Sequence, residues 1–258
     1  MSAYAGITEL PGDPITQEQW ERLCHRYFWV GTYCVNKDVL EVACGSGIGA
    51  GYLSNLAARY VAGDYDEAVL KIARAYYGER VDFRQFDAQD LPFGNDTFDV
   101  VVMLEAIYYV PHPEKFVRES KRVLRNGGYV LLATANKDLY DFAPSPYSIR
   151  YFGVPELRDL FSDFGFSVEC FGYLSVNEVS LRQRILRPVK KFAVATGLMP
   201  KTKEGKKWLK RIVFGKVFPM PAEIKPDMIA YHPPTPIPLD RADKEHKVIY
   251  CAAKLEEK

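Results

Sequence analysis

The stretch from Val39 to Gly51 contains the residue types that hold a ligand close to the protein backbone. It opens with a short apolar run, which predicts a buried parallel strand, and then passes through Gly45 and Gly47 toward a helix. Glycine is favoured at such a turn because a side chain would keep a ligand away from the backbone amides. The spacing Gly45-x-Gly47-x-x-Ala50 also matches the dinucleotide-binding form of the motif. A glycine pattern alone is not specific, so its meaning depends on the residues that follow it.

Carboxylates follow the next three predicted strands. Asp64 lies seventeen residues past Gly47 and ends the second strand, Asp87 follows the third and Glu105 follows the fourth. Because the carboxyl ends of parallel strands meet at one edge of a sheet, we expect these side chains to converge near the glycine turn. A carboxylate at Asp64 could accept hydrogen bonds from a ribose diol lying across the strand ends.

These four motifs, in this order, resemble those of the class I S-adenosylmethionine-dependent methyltransferases. The pattern is similar to methyltransferases of type 11, in particular members from bacterial polysaccharide and cell-envelope loci. The resemblance covers roughly residues 20–173 and resumes at 247–254. It implies an α/β fold with a Rossmann-like, doubly wound, seven-stranded sheet that is mostly parallel with one antiparallel strand. It also implies S-adenosyl-L-methionine as the cofactor.

The resemblance further implies which residues hold this cofactor. Glu41 would reach toward the methionine amino group, Asp64 would accept from both ribose hydroxyls, and Asp87 would accept from the adenine N6. Ala43 stands where the family commonly has a first glycine, which is a small departure. The full implied set is Tyr27, Glu41, Ala43, Gly45, Gly47, Asp64, Tyr65, Asp87, Ala88 and Leu104.

No residue stands out as the base that an acceptor hydroxyl would need. The candidates are Glu105 and Tyr108, which follow the fourth strand, and His25 in the run His25-Arg26-Tyr27. That run looks like a His-Arg-Tyr signature of cell-envelope members, in which Arg26 or Tyr27 would approach the methionine carboxylate. The alternative is that Tyr27 only packs and Arg26 is solvated. The residues expected to contact the acceptor are Tyr109, Tyr147 and Arg150.

Capping signals predict some of the elements that position these residues. The spacing Thr16-x-x-Gln19 has the form of a capping box, which predicts that a helix begins there, ahead of the first strand. The run Asn126-Gly127-Gly128 predicts a helix end and a turn, with the fifth strand beginning at Tyr129.

Composition limits the class of protein. The chain has 258 residues, 48% of them hydrophobic, which is enough for one packed α/β domain with an elaboration. No apolar run approaches the ~18–20 residues of a membrane helix, and the start at Met1 lacks the pattern of a signal peptide, so a cytoplasmic protein is expected. The five cysteines are scattered without a Cys-x-x-Cys pair, which argues for reduced thiols and against a disulfide framework or a metal site.

Residues 175–245 are predicted to form a basic, partly helical, proline-containing insert. It interrupts a core of residues 36–174 and 246–258, and a cap helix in residues 1–35 precedes that core. Between residues 181 and 218 the chain has twelve basic residues and one acidic residue, although the net charge of the whole chain is only +1. Such a run is often a solvated face. Its interleaved large apolar residues also favour a lid over the acceptor site, or contact with the anionic inner face of a membrane.

The function that the resemblance implies is methyl transfer to a small-molecule, glycan or lipid-linked acceptor, with O-methylation favoured. The acceptor is expected to be anionic if the basic insert attracts it. Two alternatives stay open: a non-catalytic cofactor-binding or scaffold protein, and an NAD-dependent oxidoreductase that uses the same glycine turn. Nucleic acid is not expected as a partner, and the sequence does not determine the oligomeric state.

Overall fold

A computed structural model describes residues 8–145, 147–176 and 217–256 of the chain. In this part of the chain the strands are β1 (Pro14–Thr16), β2 (Asp38–Val42), β3 (Arg59–Asp64), β4 (Asp82–Gln85), β5 (Phe98–Leu104), β6 (Leu124–Ala135), β7 (Phe166–Ser175), β8 (Val217–Pro219), β9 (Thr235–Ile237) and β10 (His246–Leu255). The α-helices are α1 (Gln17–Cys34), α2 (Ala50–Leu56), α3 (Glu67–Tyr77), α4 (Pro113–Val123) and α5 (Val154–Ser162).

The central sheet has the strand order β4-β3-β2-β5-β6-β10-β7-β9. Strands β2 to β6 pair in parallel, and β10 is antiparallel to both of its neighbours, β6 and β7. The predicted Rossmann-like sheet, mostly parallel with an antiparallel strand, is confirmed. The structure adds the short edge strand β9, which pairs antiparallel with β7 and comes from within the predicted insert.

Helices cover both faces of the sheet. On one face, strand residues such as Val100 and Leu131 pack with α1, α2 and α3, and on the other face Val101 and Val130 pack with α4 and α5. Both faces of the central strands are therefore buried, as expected for parallel strands that read as continuous apolar runs. Each fully buried Val or Leu contributes roughly 1.5–3 kcal/mol. This packing makes the strand ends a rigid platform for the loops that follow them.

The capping box predicted at Thr16 is present at the start of α1. The Thr16 hydroxyl accepts from the Gln19 N–H, and the Gln19 side chain accepts in return from the Thr16 N–H. The prediction of a glycine turn at residues 126–128 was wrong, because β6 already begins at Leu124 and runs through these residues. Gly127 has a positive φ of 74°, and the pairing of β6 with β5 shifts register at this point. The two glycines thus form an irregularity within the strand, not a separate turn.

The described end of the predicted insert, residues 217–245, packs on the core. Strand β8 pairs antiparallel with β1, and Met220 and Ile224 are 3% and 1% exposed. The Ile224 N–H donates to the Ile48 carbonyl at 2.8 Å, which ties the insert to the glycine turn. The predicted helices of the insert and its basic run up to residue 216 lie outside the described residues. No helix of the described part is both long and apolar enough to cross a membrane.

Candidate functional site

A cleft of about 460 Å³ opens at the carboxyl ends of β2, β3 and β5. This volume lies within the usual range for sites that hold a small molecule or cofactor. The residues implied to bind the cofactor that line the cleft are Tyr27, Ala43, Gly45, Asp64, Tyr65, Asp87, Ala88 and Leu104. Glu41 and Gly47 do not line it. Eight of the ten residues implied to bind the cofactor therefore converge at the strand ends.

The glycine turn is held in a left-handed backbone conformation at several positions. Ala43, Gly45 and Gly47 have φ values of 57°, 58° and 74°. Gly47 is needed for packing as well, because a Cβ there would lie 2.9 Å from the Phe83 ring. A Cβ on Gly49 would lie only 2.0 Å from the Tyr27 ring, so α1 can approach the turn this closely only if position 49 is glycine.

Asp64 links β3 to the glycine turn. Its carboxylate accepts from the Gly45 N–H and from the Asp66 N–H, each at 2.9 Å. Burial raises the pKa of this carboxyl, although the backbone hydrogen bonds act in the opposite direction. Tyr65 beside it is 65% exposed and presents its ring at the cleft wall. A carboxylate with free lone pairs next to an aromatic face is suited to a ribose and an adenine.

Asp87 follows β4, which is the neighbour of β3 in the sheet. Its Oδ1 accepts from the Gln89 N–H at 2.8 Å and from the Gln89 side-chain amide at 3.1 Å. Ala88 and Gln89 line the cleft beside it. The loop therefore presents a carboxylate and backbone groups that could bind the edge of a purine.

Glu41 is almost fully buried behind the cleft wall, with 2% exposure. Its carboxylate accepts from the Tyr27 hydroxyl at 2.8 Å and from the Tyr60 hydroxyl. Burial raises the pKa of Glu41 to about 7, while these two hydrogen bonds oppose the rise. In this geometry Glu41 holds the Tyr27 ring in place and does not itself reach into the cleft.

Glu105 follows β5, which lies on the other side of β2 from the strands that precede Asp64 and Asp87. Its φ is 54°, a strained value for a non-glycine residue, and its N–H donates to the Ala133 carbonyl at 2.8 Å. One carboxylate oxygen accepts from the Tyr108 hydroxyl at 3.0 Å, and the other lies 3.6 Å from Nη1 of Arg26. Burial and the neighbouring Glu105 charge hold the pKa of Tyr108 well above its ordinary value. Tyr108 therefore stays protonated and orients the carboxylate of Glu105.

Arg26 faces the cleft from α1 and is only 8% exposed. Its Nη2 donates to Glu9 at 2.9 Å, while its buried Nε has no hydrogen-bond partner among the described residues. A buried guanidinium N–H without a partner is costly. Because the Arg26 side chain lines the cleft, its guanidinium charge could attract an anionic ligand group. The Ser46 hydroxyl donates to the Glu9 carbonyl at 3.0 Å. This bond holds the N-terminal segment against the glycine turn.

His25 does not line the cleft. It is 1% exposed, and its ring stacks on Tyr173 with the ring centroids 3.5 Å apart. Because a carbonyl can only accept, Nε2 donates to the His232 carbonyl at 2.8 Å, and Nδ1 accepts from the Tyr250 hydroxyl at 2.9 Å. Burial lowers the pKa of His25 to about 4. This geometry argues against the expected role as a base, since both ring nitrogens are engaged inside the core.

Among the expected acceptor-binding residues, only Tyr109 lines the cleft. Tyr147 is 54% exposed outside it. Arg150 does not line the cleft either; it lies 3.6 Å from Glu156, and its guanidinium lies over the Phe152 ring at 4.9 Å. The positions of Tyr147 and Arg150 therefore do not support the expectation that they contact the acceptor.

The cleft also contains residues that were not identified from the sequence, notably Glu9 and Arg22. One signal could have identified Arg22: it precedes Arg26 by four residues, which places both on one face of a helix. Within residues 8–145, 147–176 and 217–256, no group of three or more His, Cys, Asp or Glu side chains is placed to hold a metal ion. All five cysteines are buried and unpaired.

Comparison with known proteins agrees with this geometry. Residues 40–132 match the family described as methyltransferase domain. A probable S-adenosylmethionine-dependent methyltransferase of Mycolicibacterium smegmatis is 37% identical over 154 residues, which is 58% of this chain and 57% of that protein. A probable phthiotriol/phenolphthiotriol dimycocerosates methyltransferase 2 of Mycobacterium ulcerans is 34% identical over 164 residues, 62% of each chain. The matches thus span little more than half the length of these curated relatives.

Solved structures share the fold. The crystal structure of the YcgJ protein from Bacillus subtilis superposes with a TM-score of 0.58 over 91% of this chain and 99% of that chain, at 19% identity. The matched segment 40–132 contains the glycine turn, Asp64, Asp87 and Glu105, the residues on which the resemblance depends. Residues 40–132 therefore match a methyltransferase domain, and the chain has the fold of class I S-adenosylmethionine-dependent methyltransferases.

Proposed function

We propose that this protein transfers the sulfonium methyl group of S-adenosylmethionine to a hydroxyl group of a lipid or lipid-linked acceptor. One observation carries the proposal: a single cleft is lined by Asp64 and Asp87, which follow β3 and β4 on one side of β2, and by Glu105, which follows β5 on the other side. The residues fit the cofactor. Asp64 would hold the ribose, Asp87 the adenine, and the Arg26 guanidinium the methionine carboxylate.

When bound, the cofactor supplies a methyl group that is already activated by its positive sulfur. The protein then has to align the acceptor and exclude water. Glu105 is placed to accept the proton of an acceptor hydroxyl, since Tyr108 orients one of its oxygens and Arg26 lies near the other. Leu104 and Tyr108 would shield this end of the cleft from water.

A hydroxyl on an apolar molecule fits the surroundings of Glu105. Tyr108 stacks on Tyr151 with ring centroids 4.4 Å apart, and Tyr109 packs edge-on against Tyr108 at 4.5 Å. Tyr108 and Tyr109 line the cleft and give it an aromatic wall beside the proposed base, and Tyr151 packs behind Tyr108. The name of the relative from Mycobacterium ulcerans, which gives phthiotriol and phenolphthiotriol dimycocerosates as its substrates, also favours a lipid acceptor. The predicted membrane contact through the basic insert remains a prediction, because residues 181–216 lie outside the described part.

The first test is binding, measured by calorimetry. S-adenosylhomocysteine should bind and NAD should not. Tight binding of NAD without any response to S-adenosylhomocysteine would instead favour an oxidoreductase. With methyl-labelled cofactor and a lipid extract, the wild type should form a labelled lipid product. If cofactor binds but no extract fraction is ever labelled, the proposal of catalysis fails and a binding or scaffold role is favoured.

The second test separates chemistry from binding. Glu105→Gln keeps an oxygen that can accept from Tyr108 but removes the basic carboxylate, so turnover should fall by about 100-fold or more. Tyr108→Phe removes the hydroxyl that orients Glu105, and a smaller fall is expected. Both variants should bind S-adenosylhomocysteine as the wild type does. If Glu105→Gln keeps the full rate on the labelled acceptor, the reaction proceeds by alignment alone.

A further inference from the structure

Arg22 is a second cationic side chain in the cleft, besides Arg26. It lies on α1, is half-buried and lines the cleft together with Arg26. Arg26 is engaged by Glu9 and Glu105. By contrast, no ion pair or hydrogen bond joins the Arg22 side chain to any other described residue. A guanidinium that lines a cleft without a protein partner is available to a ligand.

The course of α1 places Arg22 beyond Glu105. The first turn of the helix lies near β10, because Lys247 in that strand pairs with Glu18. The Lys247 carbonyl accepts from the N–H of Asn136, which follows β6. Further along, Tyr27 packs on the glycine turn that follows β2. The helix thus runs from the β6 and β10 side of the sheet toward β2, across the cleft.

Arg26 meets Glu105 after β5, and Arg22 is one helical turn, about 6 Å along the axis, nearer to β6. Asp64 and Asp87 lie on the opposite side, after β3 and β4. If the cofactor occupies the cleft from Asp87 to Arg26, Arg22 therefore lies beyond its methionine end, on the β6 side of Glu105.

We propose that Arg22 binds an anionic group, a phosphate or a carboxylate, that the methyl acceptor carries close to the hydroxyl that is methylated. The proposal rests on the function proposed above. Glu9 and Glu105 do not repel such a group strongly, because Arg26 lies between them and offsets part of their charge. Arg22 adds the positive charge that this cluster still lacks, and its planar donors match either anion in a bidentate manner.

The test uses small probes that differ in charge. Phenyl phosphate, benzoate and benzyl alcohol are titrated by ligand-observed NMR into the full chain saturated with S-adenosylhomocysteine, which fills the site of Arg26. At least one of the two anions should bind about 10-fold more tightly than benzyl alcohol or better, since a hydrogen bond to a charged group is worth at least that factor. The stronger of the two identifies the anion. Equal affinity for all three probes would overturn the proposal.

Arg22→Gln should remove the preference for the anions, and Arg22→Lys should keep part of it, because lysine retains the charge but not the planar fork. The matched control is Arg118→Gln, which removes an exposed arginine on α4 that lies over the Phe164 ring. It should behave as the wild type.

Binding of S-adenosylhomocysteine to each variant is measured in parallel, and it should not change. If Arg22→Gln weakens it as much as it weakens the anions, Arg22 holds the cofactor carboxylate and the inference is wrong, although the proposed function stands. If the wild type does not bind S-adenosylhomocysteine at all, it is the proposed function that fails.

Discussion

Two buried ionisable groups are expected to give the folding stability opposing dependences on pH. Glu41 is 2% exposed and His25 is 1% exposed. Burial raises the pKa of Glu41 from 4.5 to about 7, and it lowers the pKa of His25 from 6.5 to about 4. In each case the native state disfavours the charged form. Glu41 becomes charged by losing a proton as pH rises, whereas His25 becomes charged by gaining a proton as pH falls.

For Glu41 the stability falls as pH rises. Between pH 4.5 and about 7 the native state keeps a proton that the unfolded chain has already released, so the free energy of unfolding decreases through this window. A pKa change of this size corresponds to about 3 kcal/mol. Glu41→Gln removes the ionisation and keeps an oxygen that can accept from Tyr27 or Tyr60. Its stability relative to the wild type should rise by about 3 kcal/mol from acid to neutral pH.

For His25 the stability falls as pH decreases. Below pH 6.5 the unfolded chain binds a proton that the native state takes up only near pH 4, so the wild type loses about 3 kcal/mol across this window. His25→Gln cannot be charged, and its side-chain N–H can still donate to the His232 carbonyl. Its stability relative to the wild type should therefore rise by about 3 kcal/mol as pH falls through the same window.

The measurement is urea unfolding of the wild type, both single variants and the double variant at a series of pH values. Differences between variants cancel the titration of groups that all four proteins share. In the wild type the two effects partly cancel where their windows overlap, so each single variant should show a steeper pH dependence than the wild type. A stability difference between Glu41→Gln and the wild type that is the same at acid and at neutral pH would refute the reasoning, because Glu41 would then ionise as in the unfolded chain.

Two further predictions concern the cofactor side of the cleft. Asp64→Asn removes the charge that would hold the ribose, and calorimetry should show S-adenosylhomocysteine binding weakened about 10- to 100-fold; wild-type affinity would mean that the ribose lies elsewhere. Gly49→Ala places a methyl group against the Tyr27 ring, and the resulting overpacking should cost about 1–3 kcal/mol and lower the melting temperature by several degrees. Gly94→Ala, where the nearest atom to a new Cβ is 3.5 Å away, is the control and should melt as the wild type does; equal melting temperatures for both variants would contradict the packing argument.

The convergence of the strand ends could be predicted from the sequence because it follows from one rule. Carboxyl ends of parallel strands meet at one edge, and Asp64, Asp87 and Glu105 each follow a short apolar run. The same rule cannot distinguish a residue in the cleft wall from one behind it. Glu41 precedes the end of β2, and its side chain is directed into the core, where Tyr27 and Tyr60 surround it.

The run His25-Arg26-Tyr27 shows a second limit of prediction from the sequence. Consecutive residues on a helix point about 100° apart, so three in a row cannot all face the same cleft. In the structure Arg26 and Tyr27 face it, and His25 turns toward Tyr250. The helical periodicity of α1 could have indicated that Arg22 lies on the same face of the helix as Arg26. It could not identify which neighbour of Arg26 turns away from the cleft.

Tertiary contacts of irregular segments could not be predicted at all. Residues 219–238 are rich in proline, so the sequence predicts only an extended path over the surface. Yet the Ile224 N–H donates a hydrogen bond to the Ile48 carbonyl, and the His232 carbonyl accepts a hydrogen bond from His25 in α1. Glu9, in what reads as an irregular start of the chain, pairs with Arg26. Contacts of this kind depend on where the chain returns in space, which no local pattern reports.

The strained residues at the cleft connect these contacts to the chemistry. Ala43 and Glu105 follow the adjacent strands β2 and β5, and both have left-handed φ values although neither is glycine. Each costs roughly 1–2 kcal/mol relative to an ordinary conformation, so the surroundings must hold them there. For Glu105 the surroundings are the Ala133 carbonyl, the Tyr108 hydroxyl and Arg26, which Glu9 in turn engages. The N-terminal segment thus belongs to the structure that holds the proposed base in position, and its contribution follows from the fold and not from any motif.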